Sequence, residues 1–255
     1  MNTSMITLFK RSIIAVCFSI MSSASYANAT DDIKAALADF IGPRIAEAKV
    51  TESAMKGAYQ VDLGDQVIFV RQSGNHLLIG DVFNIQRKAS LSEEIKNAKV
   101  EVIMNEMQES SMIVFAPKKT KRTITVYTDV DCPYCRKLHK EVPTLVNNGV
   151  KVRYLWYPRS GIGTPSYDKA VSIWCADDQA AAMDEGKLNN NITPLKCDPN
   201  PVAAQYESGR RVGVRGTPAI VLEDGSIIAG YLPAKSLLAN LGISPIEPIA
   251  NATNN

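Results

Sequence analysis

The sequence predicts a two-domain chain of mixed class, a small antiparallel α+β unit followed by a larger α/β domain. Three observations lead there. β-branched and aromatic runs cluster between 58 and 85, with Ser73-Gly74-Asn75 as a turn among them. A charged stretch with helical spacing separates this cluster from the rest. From Ser111 onward, apolar runs alternate with helical patterns in the order strand, helix, strand, helical insertion, hairpin, helix.

The chain starts with a leader. Lys10 and Arg11 precede the short apolar run "SIIAVCFSIM", and small residues follow it. Ala27-Asn28-Ala29 fits a cleavage site, with Ser25-Tyr26-Ala27 as its rival, so residues 1–29 read as a secretory signal peptide. The run is too short to span a bilayer, which takes about 20 apolar residues. Lys+Arg total 28 and Asp+Glu 26, so removing Lys10 and Arg11 leaves 26 against 26. That balance points to no nucleic-acid partner, and "KKTKR" at 118–122 reads as a solvated loop. Cys17 leaves with the leader. Cys132, Cys135, Cys175 and Cys197 remain, an even number in an exported chain.

The first domain spans 30–88. Ile33, Leu37, Phe40 and Ile41 form one face of a helix that Gly42-Pro43 ends. "AYQVDL", "DQVIFVRQ" and "HLLIGDVFNI" read as strands. A unit this small is poor in core, so it calls for a second copy or another domain to bury one face. Residues 89–110 read as a linker helix capped by Ser90 or Ser92, although the alternation in "KVEVIM" favours a strand for its second half.

The α/β domain spans 111–245, with "SMIVFAP", "RTITVYTD" and "VKVRYLWYP" as strands and residues 246–255 as a tail. Tyr167, Ala170, Val171, Trp174 and Cys175 share a helical face, and a further helix runs from Pro201 to Val212. "PAIVLEDGSIIAGY" turns at Asp224-Gly225, and "PAKSLLANL" is the closing helix. The element order is that of the thioredoxin fold.

The chemistry concentrates in "TDVDCPYCRKLHKEV". Covalent haem attachment needs a His after the second Cys, and Arg136 stands there. Zinc would have Cys132, Cys135 and His139 but lacks an evident fourth ligand, and His139 reads as a solvent-facing helix residue. No metal or cofactor is expected. Redox exchange fits best. Pro133 suits the first turn of a helix, which puts Cys132 at the helix N-terminus, where free N–H groups and the dipole favour a thiolate. Arg136 and Lys137 act in the same sense, while Asp129 and Asp131 oppose it. Cys135, one turn along, is the resolving thiol, with Tyr134 between the two. Thr217-Pro218, just before an apolar strand, matches the position of the loop that faces C-x-x-C in thioredoxin-like folds. Cys175 and Cys197 read as a staple on the helical insertion, worth about 3 kcal/mol in the chain-entropy model, or as a second redox pair.

"YTDVDCPYCRKLHKEV", "GVKVRYLWYPRSG", "SIWCADD" and "VGVRGTPAIVLEDGSIIAGY" together resemble the bacterial periplasmic disulfide isomerases of the DsbC type. The resemblance covers nearly all of 111–241 and is looser before that. It implies a cystatin-like N-terminal dimerisation domain, a linker helix and a thioredoxin-like catalytic domain. It further implies a homodimer that binds misfolded exported proteins with wrong disulfides, a Cys175–Cys197 staple, and recycling by a membrane reductant of the DsbD type. Thr217 would contact the active-site sulfurs. Two positions depart from the pattern. Pro133 replaces the usual Gly, as in the DsbG type and glutaredoxins, and Val126 stands where thioredoxin has a buried acid. A DsbG-like reductase protecting single cysteines, a holdase and a dithiol oxidase are the alternatives.

Overall fold

The computed structural model describes residues 29–64 and 66–244. The expected signal peptide, apart from its last residue, and the C-terminal tail lie outside these residues. The described chain divides into two units, with the boundary between Ile95 and Lys96.

In the first unit, helix α1 (29–41) and a 3-10 turn (Gly42–Ile45) precede a four-stranded antiparallel sheet. Its strands β1 (Lys49–Glu52), β2 (Ala58–Asp62), β3 (Val67–Arg71) and β4 (Leu77–Leu78) lie in chain order. The short, charged β1 was not evident from the sequence. Strand β3 alternates between two faces, as its period of two requires. Ile68 and Val70 pack with Ile33 and Leu37 of α1, while Val67 and Phe69 pack with Val82 and Leu91. The β3–β4 turn falls where Ser73-Gly74-Asn75 predicts it, with Arg71 N–H donating to His76 O at 3.0 Å. A two-stranded ribbon, β5 (Phe83–Asn84) and β6 (Ala89–Ser90), completes the unit.

Helix α2 runs unbroken over Leu91–Glu106, and Ser90 Oγ caps it by accepting from Glu93 N–H at 3.2 Å. The strand expected in "KVEVIM" is therefore helix. Val100, Ile103, Met104 and Met107 lie at i, i+3, i+4 and i+7 and pack against Tyr127, Leu155 and Val221. Val102, which an alternating strand would place beside Val100, is 60 % exposed. Helical burial thus outweighs the local alternation.

The second unit is built on a five-stranded sheet of order β11-β10-β8-β9-β7. It comprises β7 (Ile113–Phe115), β8 (Arg122–Thr128), β9 (Val150–Trp156), β10 (Ala219–Val221) and β11 (Ile227–Ala229). Only β8 and β9 pair in parallel. Ile124 and Val126 face a core shared with Leu138 of α3 (Pro133–Lys140), Leu145 of α4 (Val142–Asn147), Ile173 of α5 (Pro165–Trp174) and Leu237 of α8 (Ala234–Asn240). Tyr127 faces the other side, toward α2 and Val212 of α7 (Val202–Val212). The Asp224-Gly225 turn sits directly on α2. Gly225 has φ +76° and a Cβ there would lie 2.0 Å from Asn97 O, so only glycine fits. The insertion holds one helix that the sequence had not suggested, α6 (Gln179–Asp184), which continues into a π-turn (Glu185–Asn189). No described helix is long and apolar enough to cross a membrane.

Candidate active site

Strand β8 delivers the chain to Thr128, and α3 begins at Pro133 with Cys132 as its N-cap. Residues 129–131 make the turn between them, and Asp129 Oδ1 accepts from Asp131 N–H at 2.9 Å. Both Cys132 and Cys135 are free thiols and each is about 1 % exposed. The loop before β10 closes over Cys132. Its Thr217–Pro218 bond is cis, and Cys132 Sγ lies 3.1 Å from Thr217 O, to which it donates only while protonated. The Thr217 hydroxyl is buried and, among the described residues, has no hydrogen-bond partner in this dithiol.

The two thiols differ in acidity. A hydrogen bond from the Cys135 thiol does most to hold Cys132 down at about 5, against the effect of burial. The Cys135 backbone N–H and the Arg159 charge add to it. Burial pushes Cys135 up, and its hydrogen bond to Cys132 pushes it further. One sulfur is therefore the more acidic of the two and its neighbour the less, a split that thiol–disulfide exchange can use.

The cations near Cys132 are not those the sequence suggested. Arg136 turns back to Val130 O at 3.0 Å and to Asn190 Oδ1 at 2.7 Å. Lys137 lies 4.6 Å from the centre of the Tyr231 ring. The positive charge comes from Arg159, in the loop after β9, which is tied to the buried Asp129 carboxylate at 2.9 Å. Asp129, read from the sequence as a charge opposing the thiolate, is also the acceptor that ties three segments together. Burial raises its pKa, but hydrogen bonds from Ser166, Arg159 and Asp131 more than offset this and leave it below the usual carboxylate range. Asp131 pairs with Lys169 at 2.7 Å.

His139 is corrected from a surface residue to a buried one, 2 % exposed. Its Nδ1 lies 3.0 Å from Tyr154 Oη and its Nε2 2.8 Å from Asp184 Oδ1. Burial lowers its pKa. Tyr134 is 61 % exposed beside the thiols and stacks at 6.4 Å on Tyr231. Cys175 and Cys197 form a disulfide with a Cα–Cα distance of 5.6 Å, joining the end of α5 to the loop before α7.

Comparison with known proteins decides the family. Residues 109–242, more than half of the chain, match the model of a thioredoxin-like domain. Residues 23–93 match the disulfide bond isomerase protein N-terminal domain. Thiol:disulfide interchange protein DsbC of Dickeya dadantii is 34% identical over 196 residues, covering 76% of this chain and 80% of that protein. The proteins of the same name in Escherichia coli K12 and Haemophilus influenzae are 31% and 30% identical; the latter match covers 88% of this chain and 96% of its relative. The chain belongs to the DsbC family. As a DsbC-family protein it is a thiol:disulfide oxidoreductase and isomerase.

The DsbC-type motif was legible in the sequence, but three of the site's supports were not. Arg159 and Ser166 reach Asp129 from segments 30 and 37 residues away. Lys187, in the polar run "DEGKLNNN", is buried behind the thiols with Nζ donating at 2.7 Å to both Thr128 Oγ1 and Asp129 O. The only local hint is Gly186, where a Cβ would come within 2.8 Å of Ile173 and hinder the close packing of the π-turn.

Proposed function

We propose that Cys132 is the nucleophile and Cys135 the resolving thiol of an exported disulfide isomerase. The observation that carries this is Cys132 at the N-cap of α3, one helical turn from Cys135 and closed over by the Thr217 loop, with the first thiol's pKa lowered and the second's raised. Cys132 thiolate attacks a wrong substrate disulfide, forming a mixed disulfide and expelling one substrate thiolate. That thiolate attacks elsewhere in the substrate, and Cys132 is finally released with its electron pair. When resolution stalls, Cys135 attacks Cys132, closing the Cys132–Cys135 disulfide and releasing reduced substrate. Thr217 and Pro218 form the rim on which an extended substrate segment pairs.

Residues 1–29 act as a signal peptide that directs the chain to the periplasm, where a membrane reductant of the DsbD type restores the dithiol. The first unit supports a homodimer. Its β4 is an edge strand, and Leu78, Ile79, Phe83 and Ile85 are 46 to 82 % exposed, an apolar surface that a second copy would cover. The resulting cleft holds misfolded exported proteins and gives chaperone-like binding.

A Cys135→Ala variant mixed with a scrambled multi-disulfide protein should accumulate a mixed disulfide on Cys132. Accumulation on another cysteine, or none at all, sinks the assignment. Alkylation trapping in cells sets the direction of electron flow. The Cys132/Cys135 pair should be reduced at steady state and become oxidised when the membrane reductant is deleted. A pair oxidised in both strains would make the protein an oxidase.

A further inference from the structure

We propose that Lys187, acting through the Thr128 hydroxyl, takes the proton from Cys135 as that thiol resolves a mixed disulfide. This rests on the reading of Cys135 as the resolving thiol. It answers a need of the site, because Cys135 is a buried thiol held in its protonated form, and the position where thioredoxin has an acid is Val126, wholly buried in the core.

Three features support the role. Lys187 is 1 % exposed, yet both hydrogen-bond partners of its Nζ are uncharged oxygens, Thr128 Oγ1 and Asp129 O. A buried lysine without a direct carboxylate partner is costly. Second, the Thr128 hydroxyl, 2.7 Å from Nζ, is close enough to Cys135 to act on its acidity, so one hydroxyl stands between the amine and the thiol. Third, Lys187 sits in a π-turn, which projects its side chain inward in place of the regular helical rise. Burial also pulls Lys187 down to about 8, which leaves roughly one amine in ten neutral at pH 7.

The charges around Nζ come from several elements. Cys132, Cys135, Arg136 and His139 belong to α3 and its cap, Asp129 follows β8, and Asp184 lies at the end of α6. Asp129 and the thiolates favour the ammonium, whereas Arg136 and His139 oppose it.

The step balances. Cys135 gives its proton to Thr128 Oγ while the Thr128 proton moves to the neutral Lys187 amine. The Cys135 thiolate attacks the Cys132 sulfur, the Cys132–Cys135 bond forms, and the Cys132–substrate bond breaks. The electron pair leaves on the substrate sulfur as a thiolate, so the protein dithiol is oxidised and the substrate reduced. The proton returns to Cys135 when a dithiol reductant reopens the pair.

Quenched-flow mixing of the reduced, full-length mature protein with oxidised glutathione tests this, with intact mass read after acid quench. The first phase is glutathionylation of Cys132 and the second is closure of the Cys132–Cys135 disulfide. In wild type the second rate should climb as pH rises through about 8 and then level off. In Lys187→Met it should fall about 10-fold at pH 7 and keep climbing beyond pH 9, while the first phase changes less than about threefold. Thr128→Val, which keeps the lysine, should show the same loss and carries the test if the methionine variant does not fold. An unchanged second phase with an unchanged pH profile overturns the inference and leaves the function standing. Full retention in Lys187→Arg also overturns it, since a fixed charge cannot accept the proton. Absence of glutathionylated Cys132 in wild type instead overturns the function itself.

Discussion

Cys175 and Cys197 are drawn together across 22 residues of chain, whereas Cys132 and Cys135 sit one helical turn apart. Around the first pair the bonds are those of a packed loop, such as Leu195 N–H to Ser172 Oγ at 3.2 Å, and Cys197 is exposed. Around the second pair stand a helix N-terminus and the Thr217 loop, with the charges of Arg159 and Lys187 acting on one sulfur or the other. Nearness alone would make Cys132 and Cys135 the easier staple. What separates the pairs is the local field. Hydrogen-bond donors and cations give one thiol of the close pair the character of an anion and a leaving group, and the distant pair has no such support.

The contrast can be broken at several points. Cys132→Ala should lower refolding of a scrambled substrate by on the order of 10³-fold or more, with the fold intact by circular dichroism. Replacing both Cys175 and Cys197 with Ala should do the reverse, costing about 3 kcal/mol in urea unfolding while turnover stays within about twofold.

Asp129→Asn comes next, because it removes a buried charge with several donors. A loss of about 2 kcal/mol is expected at pH 7. The folded pKa of Asp129 is depressed, so its contribution is present above the unfolded value near 4 and is lost as pH falls through the folded value. The Asn variant should therefore lose less stability on acidification than wild type. Arg159→Gln should give the smallest effect. Arg159 is 46 % exposed and its charge is the least of the causes acting on Cys132, so its removal should raise the Cys132 pKa only slightly, and less at high salt. A full unit or more would show the field around Cys132 to be dominated by this one cation.

The parts of this site that local sequence dictates were legible. Strand β8 reads from "RTITVYTD" because β-branched residues run up to the turn. Pro133 marks the helix start, and Asp224-Gly225 marks a hairpin whose glycine α2 requires. The rest depends on chain segments meeting in space. His139 looks like a surface residue among lysines, yet it follows Leu138 around to the inner side of α3, where Tyr154 and Asp184 receive it. Lys187 lies in a run of polar residues that any periodicity reads as solvated; it is buried because the π-turn of the insertion packs onto α3, some 50 residues earlier. Alternation misled in α2 because Val100 and Val102 fit a strand as well as a helix, and only the surface waiting at Tyr127 and Leu155 selects Val100 and Ile103.

The central claim is that two neighbouring thiols are held in opposite protonation states, and a pH titration of thiolate ultraviolet absorbance on the reduced protein tests it most directly. Cys132 should ionise in a single step near pH 5, and the second thiolate should appear only above the ordinary cysteine range. Since its folded pKa is depressed, Cys132 stabilises the dithiol form above its unfolded value, an effect lost as pH falls through about 5. Two thiols titrating together near the ordinary cysteine value of about 8.5, or Cys135→Ala leaving the low-pH step unmoved, would contradict the account.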